Sequence, residues 1–312
     1  MSAPGRVRVA VLLLAALLAP LVAGCAGAVG ERSGIVVTTN ILGDVTRAVV
    51  GDQAEVTVLM KPDADPHSFG VSAQEAARME TAGLIVHNGL GLEEGVGRNV
   101  AAAAESGTPE IAVAEQVRPI TYGSGESSGQ QDPHFWTDPL RMRDAVSRIA
   151  DEVVEHVEGV APAVIRANAE RYAGELETLD AEMSAAFGRI PPERRTLVTN
   201  HHVFGYLAER YDFEVVGAVL PSVVPLGSTL ASPSASDISA LADTVRAEGV
   251  PTIFADSSQP DRLARVLADQ AGVDVAVVPL FSESLSRPGS GAETYLDLMR
   301  SNTEAISTGL RS

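Results

Sequence analysis

The sequence predicts an α/β protein of two lobes, each with a parallel sheet flanked by helices, joined by a long rigid helix between the lobes. Apolar segments of strand length alternate with amphipathic helical segments in two separate series. Between the series, residues 140–188 are rich in Ala, Glu and Arg and almost free of strand patterns. Alternation of strand and helix is typical of parallel sheets, so the two series predict two lobes.

The first series predicts a four-stranded lobe. Its expected strands are residues 35–40, 55–60, 84–90 and 111–114, and its expected helices are residues 42–50, 73–82 and 93–104. We expect a second sheet from strands 196–199, 214–219, 252–255 and 275–280, with helices 203–210, 235–248, 261–271 and 292–309.

The connector contains a long predicted helix. Pro162 is well placed in its first turn, where a missing N–H costs nothing, and residues 163–187 contain Gly174 as their only Gly or Pro. At 1.5 Å per residue this helix is about 38 Å long, enough to reach both lobes. The loops 123–131, polar and glycine-rich, and 220–233, rich in Pro, Ser and Val, are predicted to form the rims of a cleft.

The N-terminal residues are predicted to form a secretion signal. Arg6 and Arg8 precede an apolar stretch at 9–21 that is too short to span a bilayer, and small residues then lead to Cys25, the only cysteine. The sequence before Cys25 resembles a bacterial lipobox, which implies cleavage there and a lipid on its thiol. We therefore predict a signal peptide at 1–25, a first lobe at 26–138, a helical linker at 139–190 and a second lobe at 191–312.

The mature chain is strongly acidic. Without residues 1–25 it has 21 basic and 41 acidic residues, a formal net charge of −20. This charge argues against nucleic acid as a partner and favours a soluble body, which we expect to be a monomer, held near a membrane by its lipid.

Histidines lie in loops of both predicted lobes. The tripeptide Asp-Pro-His occurs twice, ending at His67 and His134, and a third loop contains His201 beside His202. His67 and His201 follow predicted strands, and ligands of open parallel sheets bind at the carboxyl ends of strands. Three imidazoles from three loops predict a metal site.

An acid completes the predicted site. Glu283 follows the strand 275–280, and three nitrogens with one carboxylate suit Zn(II) better than Mg(II) or Ca(II). The residues alone leave two alternatives open, because His202 competes with His201 and Asp256, also at a strand end, competes with Glu283.

Other acidic residues and histidines are not expected to bind the metal. Asp65, Asp132 and Asp138 are expected to orient imidazoles or to cap turns. His87, inside a predicted strand, is expected in the core or beside the site, and His156 on a charged helix face is expected to be solvated.

Several segments together resemble a known family. They are LMKPDADPHSFG, LIVHNGLGLE, DPHFWTDP, VTNHHVFGYLAERY and ETYLDLMRSN, in this order along the mature chain. With the lipobox they resemble the substrate-binding lipoproteins of zinc and manganese ABC transporters, also called metal-binding adhesin-like lipoproteins. The chain lacks the His-rich loop of many zinc-binding members, since residues 123–131 contain no histidine.

The resemblance implies a ligand set and a function. Its ligand positions match His67, His134, His201 and Glu283, where the fourth is commonly Asp. A histidine at the third position is typical of zinc-binding members, whereas manganese-binding members tend to carry a carboxylate. The implied protein is not an enzyme but carries Zn(II) as transported ligand, outside the cytoplasmic membrane, to an ABC transporter permease.

Two other classes remain as alternatives, besides a Mn(II)-binding member of the same family. A zinc-dependent hydrolase would hold the metal with three protein ligands and an activated water, but the chain has no His-Glu-x-x-His motif and no evident general base. A protein binding an organic iron chelate would not need histidines from three loops.

Overall fold

The computed structural model describes residues 33–122, 129–220, 235–258, 260–272 and 275–311. The predicted signal peptide 1–25 with Cys25 lies outside the described residues, as do most of loop 123–131 and nearly all of loop 220–233. The helices of the described ranges include none with the length and apolar character that a membrane span requires.

The first sheet is parallel, with strand order β2-β1-β3-β4. In its central strand, Ile35 pairs with Val56 on one side and Leu84 on the other. The strands are β1 (Ile35–Val37), β2 (Val56–Val58), β3 (Leu84–His87) and β4 (Glu110–Ala112), and the connecting helices are α1 (Asn40–Val50), α2 (Ala73–Glu80) and α3 (Glu94–Glu105).

The second sheet repeats this arrangement, with parallel order β6-β5-β7-β8. Its strands are β5 (Thr196–His201), β6 (Glu214–Leu220), β7 (Thr252–Asp256) and β8 (Ala276–Leu280). Two connector helices, α4 (Pro139–His156) and α5 (Pro162–Phe187), precede this half. Its own helices are α6 (Gly205–Tyr211), α7 (Ala235–Glu248), α8 (Arg262–Ala271) and α9 (Tyr295–Arg311). Two parallel sheets flanked by helices confirm the predicted fold class.

Two helices join the sheets. They are α4 (Pro139–His156) and α5 (Pro162–Phe187), and α5 is unbroken over 26 residues with proline in its first turn, as predicted. One face of α5 is buried against α4, α1 and α9 at the spacing of a helical stripe: Ile165, Ala169, Tyr172, Leu176, Leu179, Met183 and Phe187. The largest group of buried apolar side chains is therefore continuous through both lobes.

Each sheet falls within the range predicted for its lobe. The lobe boundaries at residues 138 and 190 stay predictions. Many element ends differ from the sequence prediction by one to three residues, and two of these differences involve residues at or near the site. Asn40, predicted in a strand, is the first residue of α1, because the Thr39 hydroxyl accepts a hydrogen bond from the backbone N–H of Leu42 and caps the helix. His201, predicted to follow its strand, is the last residue of β5, because its pairing with Leu220 extends the ladder.

Candidate metal centre

Four side chains predicted from the sequence converge at one point between the lobes. Each of His67, His134, His201 and Glu283 offers a donor atom, and these four atoms lie within 4.8 Å of one another. Oε1 of Glu283 is 2.9 Å from Nε2 of His67, 3.2 Å from Nε2 of His134 and 3.4 Å from Nε2 of His201. Four donors about 2.0–2.1 Å from one ion would be about 3.3–3.4 Å apart in a tetrahedron.

The sheet topology explains this convergence. His67 follows edge strand β2, His201 ends central strand β5, and Glu283 follows edge strand β8, so each lies at the carboxyl end of a strand. His134 directly precedes a short 3-10 helix, Phe135–Thr137, that leads into α4. Both lobes thus contribute donors.

The two Asp-Pro-His tripeptides adopt the same local hydrogen bond. Oδ1 of Asp65 accepts from the backbone N–H of His67 at 2.9 Å, and Oδ1 of Asp132 accepts from the backbone N–H of His134 at 2.9 Å. This Asx-type turn, with the intervening proline fixing φ, restricts the backbone from which each imidazole projects. The orienting role expected for these two acids is what their geometry provides.

Asp132 also fixes the tautomer of His134. The Nδ1–H of His134 donates to Oδ1 of Asp132 at 2.7 Å, so Nε2 faces the other three donors. A carboxylate behind the ring orients an imidazole and makes it a stronger base.

The second lobe approaches Asp132 closely. A side chain at Gly205, the first residue of α6, would place its Cβ 2.7 Å from Oδ2 of Asp132, so the Asp132 carboxylate would have to shift. The Tyr206 hydroxyl donates to the backbone carbonyl of Asp132 at 2.6 Å. The loop of His134 is therefore held by the second lobe, although it belongs to the first.

The carboxylate of Glu283 remains ionised despite complete burial. Burial raises the pKa of Glu283, but His201 and His67 outweigh this effect and hold the pKa well below its ordinary value. Two buried atoms of the site, Nε2 of His134 and Oε2 of Glu283, have no hydrogen-bond partner within the described residues. Buried polar atoms are rarely left unpaired, so these two atoms fit a site that a cation would complete.

The structure separates the competing residues. His202 is not in the group of four; its ring instead lies 6.5 Å from the Tyr122 ring, centroid to centroid. Asp256, also outside the group, is buried beside Glu283, and burial together with the charge of Glu283 raises its pKa to about 7. Its Oδ1 accepts from the backbone N–H of Ser258.

The remaining predicted residues are not in the group of four and have other partners. Nε2 of His87 is 2.6 Å from the carboxylate of Glu110, and Nε2 of His156 is 3.2 Å from that of Glu152. Asp138 caps α4, since its side chain accepts from the backbone N–H of Leu140 at 2.8 Å.

Comparison with known families identifies the chain. The family model described as "ZnuA: Zinc-uptake complex component A periplasmic" matches residues 35–309. The chain belongs to the ZnuA family. This match covers both sheets and all four donor residues.

Individual relatives of the ZnuA family are named for different metals. The chain is 29% identical over 281 residues to the manganese-binding lipoprotein MntA of Halalkalibacterium halodurans, covering 90% of this chain and 89% of the relative. It is 28% identical over 275 residues to the iron-binding protein YfeA of Yersinia pestis, covering 88% and 85%. It is 29% identical over 295 residues to the zinc-binding protein TroA of Treponema pallidum, covering 92% of each. The family binds metal ions, and its members are solute-binding proteins rather than enzymes.

Solved structures show the same fold. Periplasmic zinc-binding protein TroA of Treponema pallidum superposes with a TM-score of 0.79 at 27% identity, covering 89% of this chain and 99% of that one. The Mn-bound periplasmic metal-binding protein of Candidatus Liberibacter asiaticus gives a TM-score of 0.75 at 26% identity, with the same coverage.

Proposed function

We propose that the protein captures one Zn(II) ion through His67, His134, His201 and Glu283 and delivers it to an ABC-type importer. The observation that carries this proposal is the spacing of four donor atoms within 4.8 Å, three of them imidazole nitrogens. Imidazole suits Zn(II), whereas Mn(II) prefers oxygen. Three neutral imidazoles and one carboxylate leave a single positive charge on a Zn(II) site, which can be buried when acids such as Asp132 lie behind the ligands.

The proposal makes the protein a carrier rather than a hydrolase. A catalytic zinc site keeps one position open for water, whereas a structural site is closed by four protein donors. Here the fourth donor, Glu283, is within 3.4 Å of all three histidine Nε2 atoms. Zn(II) has no redox chemistry, so release depends on the importer rather than on electron transfer.

The proposed location is outside the cytoplasmic membrane, with a lipid on Cys25 holding the protein near its permease. The family description "periplasmic" and the relative named as a lipoprotein support this location. The lone cysteine after small residues supports the anchor.

Calorimetric titration of metal-stripped protein tests the metal. We expect one Zn(II) per chain, and Zn(II) as the predominant metal in protein purified without chelator from cells supplied with both Zn and Mn. Almost any nitrogen-containing site prefers Zn(II) to Mn(II), so the affinity order alone is not decisive.

The matched control for this test is the His201→Glu variant, which exchanges one nitrogen donor for oxygen at the same position. It should narrow the Zn(II)-to-Mn(II) affinity ratio by roughly tenfold or more, because Mn(II) favours carboxylate. A wild-type protein that loads predominantly with Mn, or that binds two Zn(II) ions equally tightly, contradicts the proposal.

Zn(II) affinity is expected to rise with pH. Burial lowers the pKa of His134, but Asp132 and Glu283 outweigh burial and raise it to about 9. The pKa of His67 is raised as well, since Glu283 outweighs burial there. A ligating imidazole is neutral, so below these pKa values Zn(II) must displace protons, and affinity should change up to about tenfold per pH unit for each proton displaced.

Titrations between about pH 5.5 and 8, in buffers of different ionisation enthalpy, count the displaced protons. The His156→Gln variant, altered far from the site, should show the wild-type profile. A Zn(II) affinity that does not change with pH, with no release of protons, would mean that the histidines do not bind the ion.

A further inference from the structure

The segment that carries Glu283 is hydrogen-bonded at both ends by buried asparagine side chains. This segment, residues 281–285, is called the Glu283 loop below. Asn302 of α9 holds its beginning: Oδ1 accepts from the backbone N–H of Phe281 at 2.9 Å, and Nδ2 donates to the Phe281 carbonyl at 2.8 Å. Asn302 is 4% exposed, so its side chain is largely shielded from water.

Asn40 of α1 holds the end of the Glu283 loop from the other lobe. Its Oδ1 accepts from the backbone N–H of Leu285 at 2.9 Å, and its Nδ2 donates to Oγ of Ser284 at 2.8 Å. The same Nδ2 donates to the backbone carbonyl of Lys61 at 3.0 Å, at the start of the loop that carries His67. One buried amide therefore joins two ligand-bearing loops.

The middle of the loop is held as well. Nε1–H of Trp136, two residues after His134, donates to the backbone carbonyl of Ser282 at 2.8 Å. The backbone N–H of Asp63 donates to the Leu285 carbonyl at 3.0 Å. Two hydrogen bonds from the first lobe to the backbone of the loop therefore flank Glu283, one on each side.

We propose that Asn40 and Asn302 are positioning residues for metal binding, which hold the Glu283 loop so that its carboxylate faces the three histidines before the ion arrives. The proposal rests on the proposed metal-binding function. Neither asparagine touches the donor group itself; each acts through the backbone of the loop. Because the loop is ordered in advance, the ion does not have to order it on binding, and less affinity is lost to loop entropy.

The chemistry of an amide is required at position 40. Asn40 uses one acceptor and both donor hydrogens, and the Leu285 N–H and Lys61 carbonyl fix which end of the amide is oxygen. Aspartate could not donate to the Lys61 carbonyl, and alanine would leave the Leu285 N–H without its partner. Loss of partners that orient ligands typically weakens metal binding by roughly 10- to 100-fold.

The first test compares Asn40→Ala and Asn302→Ala with Asn168→Ala. The Asn168 side chain donates to the Val49 carbonyl, a bond between α5 and α1 that does not involve the Glu283 loop. In calorimetric titration we expect Asn40→Ala and Asn302→Ala each to bind one Zn(II) with affinity lowered roughly 10- to 100-fold. Asn168→Ala should bind Zn(II) with wild-type affinity. Wild-type Zn(II) affinity in both Asn40→Ala and Asn302→Ala overturns the proposal and leaves the proposed function intact.

A double-mutant cycle separates positioning from general stabilisation. Asn302 acts on the Glu283 loop alone, so in a Glu283→Ala background the Asn302→Ala change should alter Zn(II) affinity by no more than about twofold. An equal loss in both backgrounds would show that Asn302 does not act through Glu283, and the proposal would be wrong. A wild-type protein that binds no Zn(II) would instead refute the proposed function.

Amide hydrogen exchange of the wild-type protein tests the loop even where a variant does not fold. The backbone N–H groups of Phe281 and Leu285 should be equally well protected in chelator-treated and Zn(II)-loaded protein. Exchange at the rate of an unstructured chain in the metal-free protein would show that the ion orders the loop, which overturns the proposal.

Discussion

Replacing Glu283 with alanine is expected to weaken Zn(II) binding by roughly 100- to 1,000-fold. A structural zinc site typically binds with a free energy of about 10–16 kcal/mol, which is about 2.5–4 kcal/mol for each of four ligands. Each step of about 1.4 kcal/mol corresponds to a tenfold change in the dissociation constant. Glu283 contributes the only carboxylate of the four donors, and its Oε1 is within 3.4 Å of each histidine Nε2. Its removal takes away both a donor atom and the charge that compensates the cation. Competition with a chelator of known Zn(II) affinity measures the loss.

Asp256→Ala is the matched control, since Asp256 is also a buried strand-end carboxylate in the same lobe but lies outside the group of four donors. We expect Asp256→Ala to weaken Zn(II) binding only modestly. The same design applies to the adjacent histidines, where His201→Ala should weaken binding strongly and His202→Ala only slightly. The reverse order in either pair would show that the donors had been assigned to the wrong residues.

Zn(II) is expected to raise the unfolding temperature by roughly 8–16 °C. A ligand at 1,000 times its dissociation constant adds about 4 kcal/mol to the free energy of unfolding, and each kcal/mol shifts the midpoint of a body of this size by about 2–4 °C. In the proposed site the ion would bridge residues of both lobes, so unfolding of either lobe would release it. Scanning calorimetry with Zn(II) and with excess chelator measures the difference.

The His134→Ala variant should lose most of this thermal shift. The net charge of −20 expected for the mature chain attracts cations without selectivity, so Mg(II) at equal concentration controls for surface binding. A shift that is equally large in His134→Ala or with Mg(II) would place the effect on the acidic surface rather than at the four donors.

The sequence predicted which four side chains converge, because each of them belongs to a local pattern. His67 and His134 follow Asp-Pro, and His201 and Glu283 lie at strand ends of a repeated strand-helix series. Such patterns depend on neighbours in the chain, and parallel-sheet topology then brings the strand ends together. The two-lobe fold followed from the same periodicity, with differences mainly at element ends, where a cap at Thr39 or pairing at Leu220 decides the boundary.

The sequence did not predict the contacts that Asn40 and Asn302 make with the Glu283 loop. Asn40 contacts Ser284 across a separation of 244 positions, and a single asparagine near a helix start is ordinarily read as a cap or turn residue. Asn302 lies in the segment ETYLDLMRSN, which contributed to the family resemblance, but nothing in that segment indicates its contact with Phe281. Contacts of this kind require the tertiary structure.

The long helix α5 has a consequence for the time that an ion stays bound. Its 26 residues pack along both lobes, so wide separation of the lobes would require breaking its internal hydrogen bonds or its buried stripe. A bound ion would then reach solvent through local movement at His67, whose side chain is 24% exposed, whereas those of His134 and Glu283 are fully buried. The dissociation rate, rather than the equilibrium affinity, would then limit how many ions one molecule delivers per minute, and contact with the importer would serve mainly to shorten the residence time.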